Sequence, residues 1–158
     1  MSIEQIYNYE RLTDGIGTSG QPTPDQFQAI AAAGFKTVIN LAMPDSDNAL
    51  PNEGNLVSSQ GMTYVHLPVD FANPTMTDLA QFCGLMQTAE PATVWVHCVV
   101  NARVSAFTYL YLRYVKGLPE EACRTALLDK WSPGMDDVWT QFLLDGAAHL
   151  QAQSEEQE

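Results

Sequence analysis

Apolar positions in this chain fall into short runs separated by helical stripes. FKTVINL (35–41), MTYVHLPV (62–69) and TVWVH (93–97) are brief, apolar and rich in β-branched residues, the pattern of buried strands. Before the first run, Phe27, Ile30 and Ala31 share one helical face. Thr23 caps that helix, Pro24 takes its first position, Asp25 lies in its first turn and Gly34 ends it. Leu79, Phe82, Cys83 and Met86 follow at i, i+3, i+4 and i+7, an amphipathic helix. A short helix to Gln60, stopped by Gly61, is expected between the first two strands. Beyond the third strand, Ala106, Phe107, Leu110, Tyr111 and Tyr114 predict a helix running to Gly117. Pro119, Glu120 and Glu121 open another with Cys123, Ala126 and Leu127 inward, and Met135, Val138, Trp139, Phe142 and Leu143 mark the last. Residues 44–55 and 70–76 are polar and full of turn formers, and so read as loops.

Strands alternating with helices predict an α/β fold with a central, mostly parallel sheet of four or five strands flanked by helices. The 158 residues suit one domain, read as 1–150, followed by an acidic flexible tail over 151–158. Ligands on such sheets bind beyond the carboxyl ends of the strands, and the third strand runs directly into Cys98.

Charge narrows the partners. Nineteen acids against seven bases give −12, and leaving out Glu155, Glu156 and Glu158 still leaves about −9. Such a surface repels nucleic acid and anionic membrane, so neither is an expected partner. No apolar run of 18 residues exists, and the first residues carry no basic-then-apolar leader, which makes the cytoplasm the expected address. Three cysteines without CxxC spacing indicate neither a disulfide framework nor a zinc site, and no metal or cofactor is expected.

The chemistry concentrates in H97-C98-V99-V100-N101-A102-R103-V104-S105. A cysteine ending a buried strand precedes a short loop and a helix start. Backbone N–H groups there favour an anion, and the same field stabilises a thiolate. Arg103 adds a planar fork of donors for a tetrahedral oxyanion. Asn101 tolerates the left-handed backbone that a tight cradle requires.

This segment resembles the H-C-x-x-G-x-x-R-S/T loop of cysteine-based protein tyrosine and dual-specificity phosphatases. TSGQPTPDQF followed by AGFKTVINL is similar to the amino-terminal half of a bacterial phosphatase-like family whose loop reads H-C-x-x-N-x-R-x-S, and the likeness spans residues 14–116. It implies a phosphatase-type fold and a phosphocysteine formed on Cys98. It also implies that Arg103 clamps the phosphoryl oxygens, Ser105 hydrogen-bonds the thiolate, His97 orients the loop, and Val99, Val100, Asn101, Ala102 and Val104 complete the phosphate cradle. Asp70, in the loop after a strand, takes the place of the general acid.

One spacing departs from the phosphatase pattern. Arg103 stands five residues after the cysteine rather than six, Val104 occupies the usual arginine position, and Asn101 replaces a glycine. A one-residue shift turns a helical side chain by about 100°. Two alternatives follow: a phosphate-binding loop with weak or no turnover, and a sulfurtransferase. The spacing C-x4-R also resembles the rhodanese loop, C-x-x-G-x-R, where the thiolate carries a persulfide. Either enzymatic reading implies a small anionic substrate, a phosphomonoester or a sulfane sulfur donor. The remaining candidates have structural readings: Cys83 and Cys123 as core, His66 and His149 as scaffold, Trp131 and Trp139 as packing, and the acids of 44–55 as a solvated surface.

Overall fold

The computed structural model describes residues 2–156. Five strands form one sheet in the order β1-β2-β5-β3-β4: β1 (Glu10–Thr13), β2 (Ile16–Ser19), β3 (Thr37–Asn40), β4 (Thr63–His66) and β5 (Val94–His97). Only β1 is antiparallel, joined to β2 through Asp14–Gly15. The three expected strands are present, each shorter than its apolar run. The β1–β2 hairpin is an addition, although an Asp-Gly pair between extended segments is a known hairpin signal.

Helices α1 (Pro24–Ala32) and α2 (Glu53–Ser59) cover one face, and α3 (Met76–Ala89), α4 (Ala102–Leu110) and α7 (Asp137–Glu156) the other. The two faces have separate cores, and β5 alternates between them. Val94, Val96 and Cys98 join the core of α3, α4 and α7, whereas Trp95 joins that of α1 and α2. This parity decides the site: Cys98 faces α4, and His97 faces Phe27 of α1, their rings 6.1 Å apart.

Helix α4 starts four residues earlier than its apolar stripe suggests and continues as a π-helical turn over Tyr111–Val115. The helix expected after Pro119 is two helices, α5 (Glu120–Cys123) and α6 (Ala126–Trp131). Arg124 is extended, and the Thr125 hydroxyl accepts from Leu128 N–H at 3.0 Å to cap a new start. Leu128 is therefore the buried residue, while Ala126 is exposed. Val138 is likewise exposed rather than inward. Helix α7 passes through residue 150 unbroken, so 151–156 are helical and exposed, while 157 and 158 lie outside the described residues. No helix among the described residues is long and apolar enough to cross a membrane.

Candidate active site

Register brings the functional segments together. Ser19, His97 and Asn40 are aligned across β2, β5 and β3, so the chain leaves the sheet at Gly20, Cys98 and Leu41 along one edge. Cys98 is fully buried there. Its successors form a loop over residues 99–101 that ends at Asn101, whose φ of 75° lies in the left-handed region.

Three loop carbonyls are held from outside. The Cys98 carbonyl lies 3.1 Å from His97 Nδ1, that of Val99 accepts from Gln21 N–H at 3.0 Å, and that of Val100 accepts from Asn8 Nδ2 at 2.8 Å. Because a trans peptide sets its N–H opposite its carbonyl, the N–H groups of Val99, Val100 and Asn101 point away from these partners. Together with those of Ala102, Arg103 and Val104 at the start of α4, they donate to no acceptor among the described residues. Gly20 is part of this construction. A Cβ on it would lie 2.5 Å from the Val99 carbonyl oxygen and 3.2 Å from Val100 Cα.

His97 is fixed by a residue the sequence reading assigned to a solvated loop. Glu53 is only 3% exposed, and its Oε2 lies 2.7 Å from His97 Nε2. Its Oε1 accepts from Gln21 Nε2 at 2.7 Å. Burial pushes this carboxyl up. Hydrogen bonds from His97, Gln21 and Tyr64, with attraction to His97, outweigh that and leave it below its ordinary value. Burial first, and then the nearby Glu53 charge, push Tyr64 up to about 12 against a bond from Asn40. The polar composition of 44–55 concealed Glu53, since it begins α2 rather than ending a loop. The alternation of β5 is the signal that could have found it, because His97 had to face α1 and α2.

Arg103, 7% exposed, donates Nη1 to the Val69 carbonyl at 2.8 Å. Its guanidinium lies 5.8 Å from the centre of the Phe71 ring, and its Nε is buried without an acceptor. Trp139 Nε1 donates to the Phe71 carbonyl at 2.8 Å. Asp70, exposed between those two anchored residues, accepts from Ala72 N–H through Oδ1 at 2.9 Å. The structure thus ties the Asp70 loop to the cysteine loop through Arg103. Val104, at the position arginine takes in the phosphatase pattern, is buried in the apolar core.

Ser105 is engaged elsewhere. Its hydroxyl donates to Asn101 Oδ1 at 3.4 Å and accepts from Thr125 Oγ1 at 2.6 Å, so it supports the loop from α4 and α6 and makes no bond to Cys98 in this geometry. Asn101 Nδ2 donates to the Asn8 carbonyl at 2.9 Å. Cys83 and Cys123 lie in the apolar core, where burial pushes the Cys83 thiol to about 12 and raises that of Cys123. His66 Nε2 lies 2.7 Å from the Ala42 carbonyl. Among the described residues, no three His, Cys, Asp or Glu side chains are grouped so as to hold a metal ion.

A sheet of this order, with a cysteine loop between its central strand and a buried helix, is the architecture of the cysteine-based tyrosine and dual-specificity phosphatase superfamily. Within it, the chain belongs to the family described as DSP-PTPase phosphatase fused to NAD+ kinase, which it matches over residues 11–130. A crystallised Shewanella putrefaciens CN-32 protein, "Putative phosphatase (DUF442)", is 32% identical, with 94% of this chain on 96% of that one at a TM-score of 0.85. P. aeruginosa TpbA shares the fold at 18% identity, with 93% of this chain on 90% of that one and a TM-score of 0.70. A "Beta-lactamase hydrolase-like protein" of Agrobacterium fabrum is 32% identical over 97 residues, 59% of this chain. The match covers 22% of that protein, so this chain spans about a fifth of the curated relative's length.

Proposed function

We propose that this chain hydrolyses small phosphomonoesters through a phosphocysteine on Cys98. The observation carrying the proposal is the run of N–H groups from Val99 to Val104 without acceptors beside Cys98, a set of donors suited to a phosphoryl group's three oxygens. The buried Arg103 Nε adds a further donor. A buried N–H without a partner costs about 1–3 kcal/mol, which a phosphoryl oxygen would offset.

In the first step the Cys98 thiolate attacks phosphorus and the ester P–O bond breaks, with the Asp70 carboxyl giving its proton to the leaving oxygen. In the second, water attacks phosphorus, Asp70 takes a proton from it, and the S–P bond breaks to release orthophosphate and the thiolate. His97 and Asn101 hold the loop in shape, and Ser105 acts through Asn101. The unpaired state of Cys83, Cys98 and Cys123 suits the cytoplasm as the place of action.

The test pairs an aryl phosphate with thiosulfate plus a thiol acceptor, using wild type and Cys98→Ser. Phosphate release lost in Cys98→Ser supports the proposal. Sulfur transfer without phosphate release overturns it in favour of the persulfide reading. Orthophosphate binding with neither reaction overturns it in favour of a non-catalytic loop.

A further inference from the structure

The Glu53 carboxylate stands at the hub of the two bonds that orient the first loop peptides. One oxygen meets His97 Nε2 at 2.7 Å, and the other accepts from Gln21 Nε2 at 2.7 Å. Each of these residues holds the next carbonyl onward: His97 through Nδ1 that of Cys98 at 3.1 Å, and Gln21 through its backbone N–H that of Val99 at 3.0 Å. One side chain of α2 therefore sets the direction of two consecutive peptides in a loop carried by β5.

The His97 ring has a further property. Both of its nitrogens face oxygens that only accept: a carboxylate held below its ordinary value, and a peptide carbonyl. The titratable groups around this pair are Cys98, the residue after β5, and Tyr64 on β4. Asn40 of β3, Ser19 of β2 and Phe27 of α1 supply the uncharged neighbours.

We infer that Glu53 is a positioning residue of the cysteine loop, holding His97 and Gln21 so that the bonds they make turn the Cys98 and Val99 peptides toward the bound anion. The inference rests on the phosphatase reading only for the identity of the anion.

The experiment uses the full chain with orthophosphate as the probe. Nitrogen-15 NMR of the histidine rings, assigned with His66→Gln and His149→Gln, is expected to show a proton on His97 Nδ1, the nitrogen that faces the Cys98 carbonyl. A wild-type His97 without a proton on Nδ1 overturns the inference without any variant of Glu53. In Glu53→Gln only one of the two side-chain atoms accepts, so the bond to His97 or the bond to Gln21 is lost and the His97 ring signals shift. Orthophosphate binding then weakens by about tenfold, the effect of losing a bond to a charged group. Glu53→Asp keeps the charge and restores part of both signals. Unchanged affinity and an unchanged His97 signal in folded Glu53→Gln overturn the inference. A wild type that binds orthophosphate but releases none from esters overturns the proposed catalysis alone and leaves these measurements standing.

Discussion

Arg103 Nη1 donates to the Val69 carbonyl at 2.8 Å, joining the start of α4 to the residue before Asp70. The guanidinium is thus shared between two loops: one nitrogen holds the acid-bearing segment, and Nε is buried with no acceptor. Lysine offers a point charge and cannot divide itself in this way. Arg103→Lys is therefore expected to lower kcat/KM about 10²–10³-fold, the range for losing one preorganised donor to a developing oxyanion. Tryptophan emission should shift as well, because Phe71 lies 5.3 Å from Trp139 and 6.0 Å from Trp131. A variant with wild-type kcat/KM would show that Arg103 is only a strut.

Asp70 lies between two anchored neighbours, Val69 held by Arg103 and Phe71 by Trp139. Asp70→Asn preserves that backbone and removes only the proton. For an alkyl phosphate, whose leaving oxygen is strongly basic, kcat should fall about 10²-fold or more. For p-nitrophenyl phosphate the loss should be much smaller, and orthophosphate affinity should not move. Equal losses with both esters would rule out a general acid at Asp70.

Much of this was legible in the sequence. Short apolar runs between amphipathic stripes gave the parallel sheet, and Cys98 at the end of the third run placed the loop. What stayed hidden depended on contacts between distant segments. Glu53 and His97 are 44 residues apart, and nothing in a polar loop's composition says which of its acids turns inward. The Arg103 spacing reads as a displacement, yet its consequence depends on where the Val69 carbonyl lies, which periodicity cannot reveal. Ser105 matches the phosphatase pattern by count, but that count does not tell that Thr125, which caps α6, donates to its hydroxyl while the hydroxyl donates to Asn101. Thr125 also explains why one expected helix became two.

Gly20 touches the cysteine loop more closely than any side chain could. With a Cβ 2.5 Å from the Val99 carbonyl oxygen, Gly20→Ala must displace backbone rather than a flexible side chain. Since a misplacement of about 1 Å can cost 10²-fold in rate, kcat/KM is expected to fall by about that factor while the circular dichroism spectrum stays native. Gly84→Ala is the matched control. It lies within α3 with nothing inside 4 Å of its added carbon, and it should stabilise the chain by about 0.5–1 kcal/mol without changing turnover. Wild-type kinetics in Gly20→Ala would show that the loop tolerates displacement.

The Glu53 carboxyl also makes stability depend on pH in a defined direction. Although burial alone pushes it up, its hydrogen bonds and attraction to His97 leave it below its ordinary value of 4.5. Above about 4.5 the group is ionised in both the folded and unfolded chain, and its stabilising contribution is complete. As pH falls below that value the unfolded chain binds the proton first, and the contribution declines until the folded carboxyl is protonated too. Glu53→Gln removes the group that titrates. The Tm difference between wild type and Glu53→Gln should accordingly be largest at pH 6–7. Each kcal/mol lost corresponds to about 2–4 °C in a chain of this size. The difference should narrow as pH falls below about 4.5 and the wild type forfeits the same interaction. Thermal melts across that range decide the matter, and a gap constant from pH 7 to pH 3 would show that the carboxylate's charge contributes nothing to the pair.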